Sequence, residues 1–289
     1  MCADPAGHIQ AVGTDAAGRQ QYRYHPQWHS QRGETKFHRK LTFGRALPKI
    51  RAAVEHDLQL RGMPREKVLA TIVALLERTQ IRVGNEEYAK TNEHYGLTTL
   101  RADHADVAEA KVRFSFKGKS GVDHDVVLRD RRLARIISKL EAMEGQEFFH
   151  FQLPDGSIHK IGSGDVNRYI KEISEGDFTA KDFRSWAGTV IAAESLAKIS
   201  ASGQPMTKRG VAQAVKEVAA ALRNTPLVAR SNYIHPGILR TATEGTLPEL
   251  PASDGSNDDG TLSATERKIL RFLSSQEKTA MSSARSQSR

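Results

Sequence analysis

Four side chains in this 289-residue sequence are of types that together suit one reaction: Arg82, Lys119, Arg184 and Tyr233. Arg82 sits in "RTQIRVGNEEYAKTNEHYGLTTL", at the end of a strongly apolar helical run, with Tyr88 six residues on. Lys119 lies in "FKGKSG", a turn sequence that places a long amine at a hairpin tip. Arg184 follows Phe183 in "TAKDFRSWAGT", on a helix whose apolar face claims the ring. Tyr233 stands in "RNTPLVARSNYIHP", a basic, polar run with no apolar periodicity to claim a phenol for a core. Taken singly, each arginine is more often a surface ion-pair partner. Taken with Tyr233, they suggest attack of a phenol on a phosphodiester.

That chemistry needs these residue types. A phenol ionises near pH 10, so nearby guanidinium charge helps it act as a nucleophile. The transition state gathers negative charge on the non-bridging oxygens, which planar, permanently charged arginine forks can clamp. A departing sugar oxygen is a poor leaving group until a proton arrives, and a lysine on a turn can deliver one. The chemistry written this way needs no metal and no cofactor.

Ordinary enzyme signatures are missing from the sequence. It contains no HExxH, no P-loop and no GxSxG. "GSG" at 162–164 lacks the rest of a dinucleotide fingerprint and reads as a turn and helix cap. The histidines show no metal-ligand spacing, and the single cysteine, Cys2, excludes an internal disulfide and a cysteine-built zinc site. No apolar run approaches the roughly 18 residues of a membrane span. Lys plus Arg outnumber Asp plus Glu by 43 to 34, and the segment after residue 240 is close to neutral. The excess therefore belongs to the body of the chain. A basic surface kept for solubility is the bland explanation; a polyanionic partner, most often nucleic acid, is the sharper one.

The elements that must position these groups follow from hydrophobic period. "HIQAVGTDAAGRQQYRYH" reads as a hairpin around "DAAG", so residues 1–25 look like the remnant of a β-rich unit. A polar, basic connector is expected over about 26–45. Val68, Leu69, Ile72, Val73 and Leu76 recur at helix spacing, with Pro64 suiting the first turn. "KVRFSF" alternates Val112, Phe114 and Phe116 against polar neighbours, and "KGKSG" turns it into a second strand ending "DVVL". Asp130 suits the cap of a helix carrying Leu133, Ile136, Ile137 and Leu140. Further helices are expected at 165–174, 180–197 and 207–222, the last halted by Pro226. Residues 241–260 hold five acids and no base among Gly, Pro, Ser and Asp, which predicts a flexible linker. "LSATERKILRFL" predicts one short helix, capped by Ser263 with Glu266 completing a capping box, before a disordered end. The body, 26–240, is expected to form one domain, and 241–289 a flexible tail with a possible short helix.

"RVGNEEYAKTNEHYGLTTL", "FSFKGKSG", "KDFRSWAGT" and "NTPLVARSNYIHP" resemble, in order, the active-site motifs of type IB DNA topoisomerases, in particular the bacterial and poxvirus-like branch. The resemblance spans roughly residues 1–240. It implies an α+β fold: a mainly α-helical catalytic domain with a small antiparallel β-sheet, of the tyrosine recombinase/type IB topoisomerase kind, preceded by a hairpin left from an N-terminal clamp domain that is mostly missing. It implies that Tyr233 forms a 3′-phosphotyrosyl bond, that Arg82 and Arg184 stabilise the transition state, and that Lys119 is the general acid. Lys119 is preferred to Lys117 because the family's lysine directly follows the turn glycine. Where the family often has histidine, Asn224 stands; an amide donates to a phosphate oxygen but does not titrate. Tyr22, Tyr24, Tyr88 and Lys181 match positions that touch the DNA backbone, contacts that position without reading sequence.

The expected activity is relaxation of supercoiled DNA by transient single-strand cleavage and ATP-independent resealing. Expected with it are double-stranded DNA as partner, no metal or cofactor, no membrane, a monomer, and a cytoplasmic, nucleoid-associated place in a bacterium. The alternatives are a tyrosine recombinase or integrase and a catalytically inactive DNA-binding relative. A recombinase usually shows His–x–x–Arg in the second arginine motif, and here Lys181 holds the first of those positions.

Overall fold

The computed structural model describes residues 4, 7, 9–14, 18, 20–143, 148–153, 155–202, 205–251 and 261–287, with side chains for all of these except 26–37 and 278–287. It contains two compact units, Met1–Thr42 and Phe43–Arg289. In the first, β1 (Ile9–Thr14) and β2 (Gln20–Tyr24) pair antiparallel, Val12 opposite Tyr22. The expected hairpin is therefore present; residues 15–17 of its turn, and Cys2, lie outside the described residues.

Helix α1, Pro26–Leu58, replaces the expected connector. The stretch 26–45 lacks an apolar stripe but is rich in Gln, Arg, Glu and Lys, all good helix formers, and opens on a proline. From Phe43 onward Leu47, Ile50, Val54 and Leu58 are buried at helical spacing.

The second unit continues with α2 (Arg65–Thr79), α3 (Glu86–Asn92), β3 (Ala105–Ala108), β4 (Lys111–Lys117), β5 (Asp123–Arg129) and α4 (Arg131–Glu141). It goes on through β6 (His150–Gln152), β7 (Ile158–Lys160), α5 (Ser163–Ser174), α6 (Ala180–Ala201), α7 (Lys208–Ala221), α8 (Pro226–Asn232), α9 (Pro236–Thr243) and α10 (Ala264–Gln287). This is the expected class, a mainly helical fold with small antiparallel sheets. β3, β4 and β5 form one sheet in that order, and β6 and β7 a second. Helix α2 is buried on nearly every side, because Ala70, Thr71, Ala74 and Leu75 join the expected apolar positions. It packs against α5, α6, β5 and β6 and is the axis of the unit. Val112, Phe114 and Phe116 face inward from β4 as the alternation requires. Asp130 caps α4, accepting from the Leu133 amide at 2.8 Å.

Two boundaries differ from expectation. Pro226 does not stop a helix; it opens α8 as its first residue, with Thr225 as cap. α7 has already ended, with Arg223 in the left-handed region. The tail is not uniformly flexible either. Residues 252–260 lie outside the described residues, but α10 runs to Gln287, favoured by a stretch free of Gly and Pro. Its capping box forms as read: Glu266 N–H donates to Ser263 Oγ at 3.0 Å and Ser263 N–H to Glu266 Oε2 at 2.9 Å. Leu262, Ile269 and Leu273 are buried, and α10 packs on α6 and α9. No helix among the described residues is long and apolar enough to cross a membrane.

Candidate active site

Helix α6 begins at a cap built by its own sequence: Thr179 N–H donates to Asp182 Oδ2 at 2.8 Å, so "KDFR" winds into the first turn. Phe183 turns into the core, 5.0 Å centroid to centroid from Phe43. Arg184, one residue on, points between two helix ends. Its Nη1 donates to the Gln80 carbonyl at the end of α2, and its Nη2 to the Leu222 carbonyl at the end of α7, at 2.6 Å. Helix C-termini carry partial negative charge and free carbonyls, so they hold a guanidinium well. Burial nonetheless dominates, and with the charge of Arg82 it pushes the Arg184 pKa down to about 10.

Arg82 lies just past α2. The stretch around it is pinned to the following turn, with Leu97 N–H donating to the Arg82 carbonyl at 2.9 Å and Thr98 N–H to Val83 at 2.7 Å. Its side chain donates from Nη2 to Asn224 Oδ1 at 2.7 Å. Asn224 is placed by the way α7 ends: Asn224 N–H returns to the Ala219 carbonyl at 2.8 Å and Arg223 N–H to Ala220 at 3.1 Å. That pair of bonds is a Schellman motif. One helix terminus thus holds both catalytic candidates, Arg184 through Leu222 and Arg82 through Asn224.

Tyr233 ends α8 and is half-buried. The Arg184 guanidinium carbon lies 5.5 Å from its ring centroid. Its backbone is fixed to α6, where Thr189 Oγ1 donates to the Tyr233 carbonyl at 3.1 Å and accepts from His235 N–H at 3.1 Å. Burial pushes the phenol up, but the charges of Arg184, Arg82 and Lys181 outweigh it, and the pKa falls below the ordinary tyrosine value.

Arg82 Nη1, Arg184 Nε and Asn224 Nδ2 are buried and find no acceptor. Neither arginine pairs with a carboxylate among the described residues. Orphaned buried donors are costly, and three in one place define a cradle for an oxygen-rich anion.

The other expected residues lie at varying distance from this cluster. Lys181 is exposed in the first turn of α6, close enough for its charge to act on Tyr233. Lys119 is exposed at the β4–β5 tip, followed by Ser120 in the left-handed region, and no hydrogen bond or ion pair ties it to the cluster. Tyr88 is exposed on α3, whose cap Asn85 accepts from the Tyr88 amide at 3.1 Å. Tyr22 and Tyr24 belong to the first unit, their rings stacked with centroids 6.2 Å apart. No group of residues suited to a metal occurs among the described residues.

Two residues at the site escape a reading of the sequence. His124 on β5 is buried, stacks on Phe116 at 4.6 Å, and leaves both ring nitrogens without partners. Burial, then the charges of Arg223, Arg82 and Arg184, push its pKa down to about 4. Its one sequence signal is the β5 alternation, which puts it on the inner face. Arg223 is the other, and only its positive φ of 48° marks it.

A half-buried phenol flanked by guanidiniums, on a helical domain with small sheets, is the arrangement that the class of enzymes handling phosphodiesters through tyrosine would need. The chain belongs to one family of that class: the model described as eukaryotic DNA topoisomerase I, catalytic core, matches residues 25–245. A curated DNA topoisomerase 1B of Acanthamoeba polyphaga mimivirus is 31% identical over 240 residues, spanning 80% of this chain and 71% of the viral protein. DNA topoisomerase I of monkeypox virus and DNA topoisomerase 1B of vaccinia virus (strain Copenhagen) are each 26% identical over 234 residues, 79% of this chain and 70% of theirs. The chain is thus of the poxvirus-like type IB kind, as its four motifs implied, and the recombinase alternative falls away.

Proposed function

We propose that this DNA topoisomerase, an isomerase, relaxes supercoils by a tyrosyl-transfer cycle centred on Tyr233. The Tyr233 oxygen attacks a backbone phosphorus, the bond to the 5′-oxygen breaks, and a 3′-phosphotyrosyl ester forms while a 5′-hydroxyl departs. Arg82, Arg184 and Asn224 hold the non-bridging oxygens as charge gathers there. Lys119 supplies the proton to the leaving oxygen, and docking of DNA against the β4–β5 tip brings it to the reaction. The ester conserves the bond energy, so the 5′-hydroxyl reseals the strand without ATP. Tyr22, Tyr24, Tyr88 and Lys181 hold backbone phosphates of double-stranded DNA. The protein works as a monomer in a bacterial cytoplasm, with neither metal nor membrane.

The observation that carries this reading is the set of orphaned donors on Arg82, Arg184 and Asn224 beside a phenol of lowered pKa. The test is relaxation of supercoiled plasmid in EDTA without ATP, together with capture of the covalent adduct on a nicked substrate. Tyr233→Phe should bind DNA and form no adduct. Lys119→Ala should slow cleavage by about 10²–10⁴-fold, the usual worth of a positioned acid. A bridging 5′-sulfur should restore it, because a thiol ionises near 8.5 and leaves unaided. Normal adduct from Tyr233→Phe would overturn the reading, and an equal Lys119→Ala defect on oxygen and sulfur would remove Lys119 as the acid.

A further inference from the structure

Arg223 occupies a backbone position that suits glycine. It is the residue just beyond the last turn of α7, at φ 48°, in the Schellman motif that orients Asn224. Glycine is preferred there because a Cβ is strained in the left-handed region. A residue that bears such strain at a functional site points to a use for its side chain.

The side chain goes to the site. Arg223 is half-buried, and its Nη2 donates to the Asp125 carbonyl of β5 at 3.1 Å. The Asp125 carboxylate is already taken by Arg113, through bonds of 2.8 and 2.7 Å. Arg223 is thus hydrogen-bonded to a neutral oxygen and makes no ion pair among the described residues, although the Asp125 carboxylate is near enough for the two charges to act on each other. The Arg223 charge is felt by both His124 and Arg184. Arg82, Arg184 and Arg223 are then three guanidiniums within one field, none hydrogen-bonded to a carboxylate among the described residues. Such a group is self-repelling unless it meets a polyanion.

Resting on the proposed function, we infer that Arg223 binds the DNA phosphate next to the reactive one on the cleaved strand. Arg82 and Arg184 are committed to the reactive phosphate. Arg223 is the residue before Asn224 at the same helix end and is tied to β5, so its charge reaches Arg184 while its guanidinium stays outside the cradle. It is a positioning residue: it fixes the register in which the reactive phosphate meets Tyr233, and takes no part in the bond exchange.

The test combines variants of Arg223 with DNA in which one flanking phosphate at a time is replaced by an uncharged methylphosphonate. The unmodified protein should lose affinity on neutralisation of one adjacent phosphate. Arg223→Ala should bind more weakly overall, with a salt slope shallower by about one counterion. It should be indifferent to neutralisation at that same phosphate and respond normally elsewhere. Arg223→Gly removes the charge and relieves the strained backbone, so it should match Arg223→Ala in binding while melting no lower than the unmodified protein. Arg223→Lys should restore most of the salt slope. At saturating DNA all three should still form the Tyr233 adduct. No adduct from the unmodified protein would sink the proposed function itself. Normal adduct, with unmodified and Arg223→Ala proteins equally sensitive at every flanking phosphate, would overturn this inference alone.

Discussion

Gly188 stands one helical turn after Arg184 on α6, and a Cβ built on it would lie 2.9 Å from the Tyr233 Cβ. The absent methyl group is what lets the Tyr233 backbone lie against the helix that carries Arg184. Thr189, the next residue, locks that approach through the Tyr233 carbonyl.

Gly188→Ala should therefore displace Tyr233 by a fraction of an ångström to an ångström. Overpacking of this kind costs about 1–3 kcal/mol. A misplacement of about 1 Å at a reacting atom can cost about 10²-fold in rate. We expect single-turnover cleavage to fall by about that factor with DNA affinity nearly unchanged. Cleavage at the parental rate would show that the α6–Tyr233 contact does not set the geometry.

The phenol's ionisation gives a second prediction. Burial alone would raise its pKa, but Arg184, Arg82 and Lys181 reverse the sign. Subtracting the ultraviolet pH titration of Tyr233→Phe from that of the parent isolates this one tyrosine. It should ionise below the ordinary value of about 10. Removing a cation without opening the site, as in Lys181→Ala, should move the inflection upward. Arg82→Ala should move it further. An unchanged inflection in both variants would mean that the cations do not lower it.

Much of this site was legible because chemistry-bearing residues keep their types. Arg82, Arg184, Asn224 and Tyr233 come together, and the strand alternation of 111–116 and the caps at Asp130 and Ser263 read correctly. What stayed hidden depends on the third dimension. Arg223 conceals the end of α7, since the usual cue for that motif is a glycine. Pro226 gives the same signal whether it stops one helix or opens the next. Glu266 announces a cap, but its bonds to Arg51 and Trp186 join residues far apart in the chain, which no local pattern encodes.

His124 should make the fold acid-sensitive. Its folded pKa, about 4, lies below the unfolded value of about 6.5. The folded state then binds the proton less readily, so its contribution is complete above pH 6.5 and is lost as pH falls toward 4. Full protonation would cost about 3 kcal/mol. The ring also packs under the Lys119 turn, where a Cβ on Gly118 would lie 2.4 Å from Nε2. His124→Phe keeps an aromatic stack on Phe116 and removes the titration. Denaturant unfolding at pH 7 and pH 5 should show a smaller acid loss in that variant; an identical loss would exclude His124 as the source.

The last prediction concerns α10, which lies beyond the family-matched residues 25–245. Glu266 is buried, and its Oε2 and Oε1 each accept from Arg51 at 2.9 Å. Oε1 also accepts from Trp186 Nε1 at 2.9 Å, on the same helix as Arg184 and two residues past it. One carboxylate in the tail therefore joins α1 to α6. Burial raises its pKa, but the bonds from Arg51 outweigh that and hold it low. Without Glu266, Arg51 keeps its bond to Glu77 at 2.8 Å, but the buried Trp186 N–H loses its acceptor, at about 1–3 kcal/mol. Glu266→Ala should lose stability on that scale, measured by denaturant unfolding. Glu266→Gln, which keeps an acceptor for Trp186 but not the charge, should lose less. If α10 only stabilises the fold, cleavage by Glu266→Gln well below its melting temperature should equal the parent's. If it also holds α6 in place for Arg184, cleavage should slow while DNA affinity stays constant. We expect the second result, because the Trp186 bond fixes the turn of α6 from which Arg184 reaches Gln80 and Leu222.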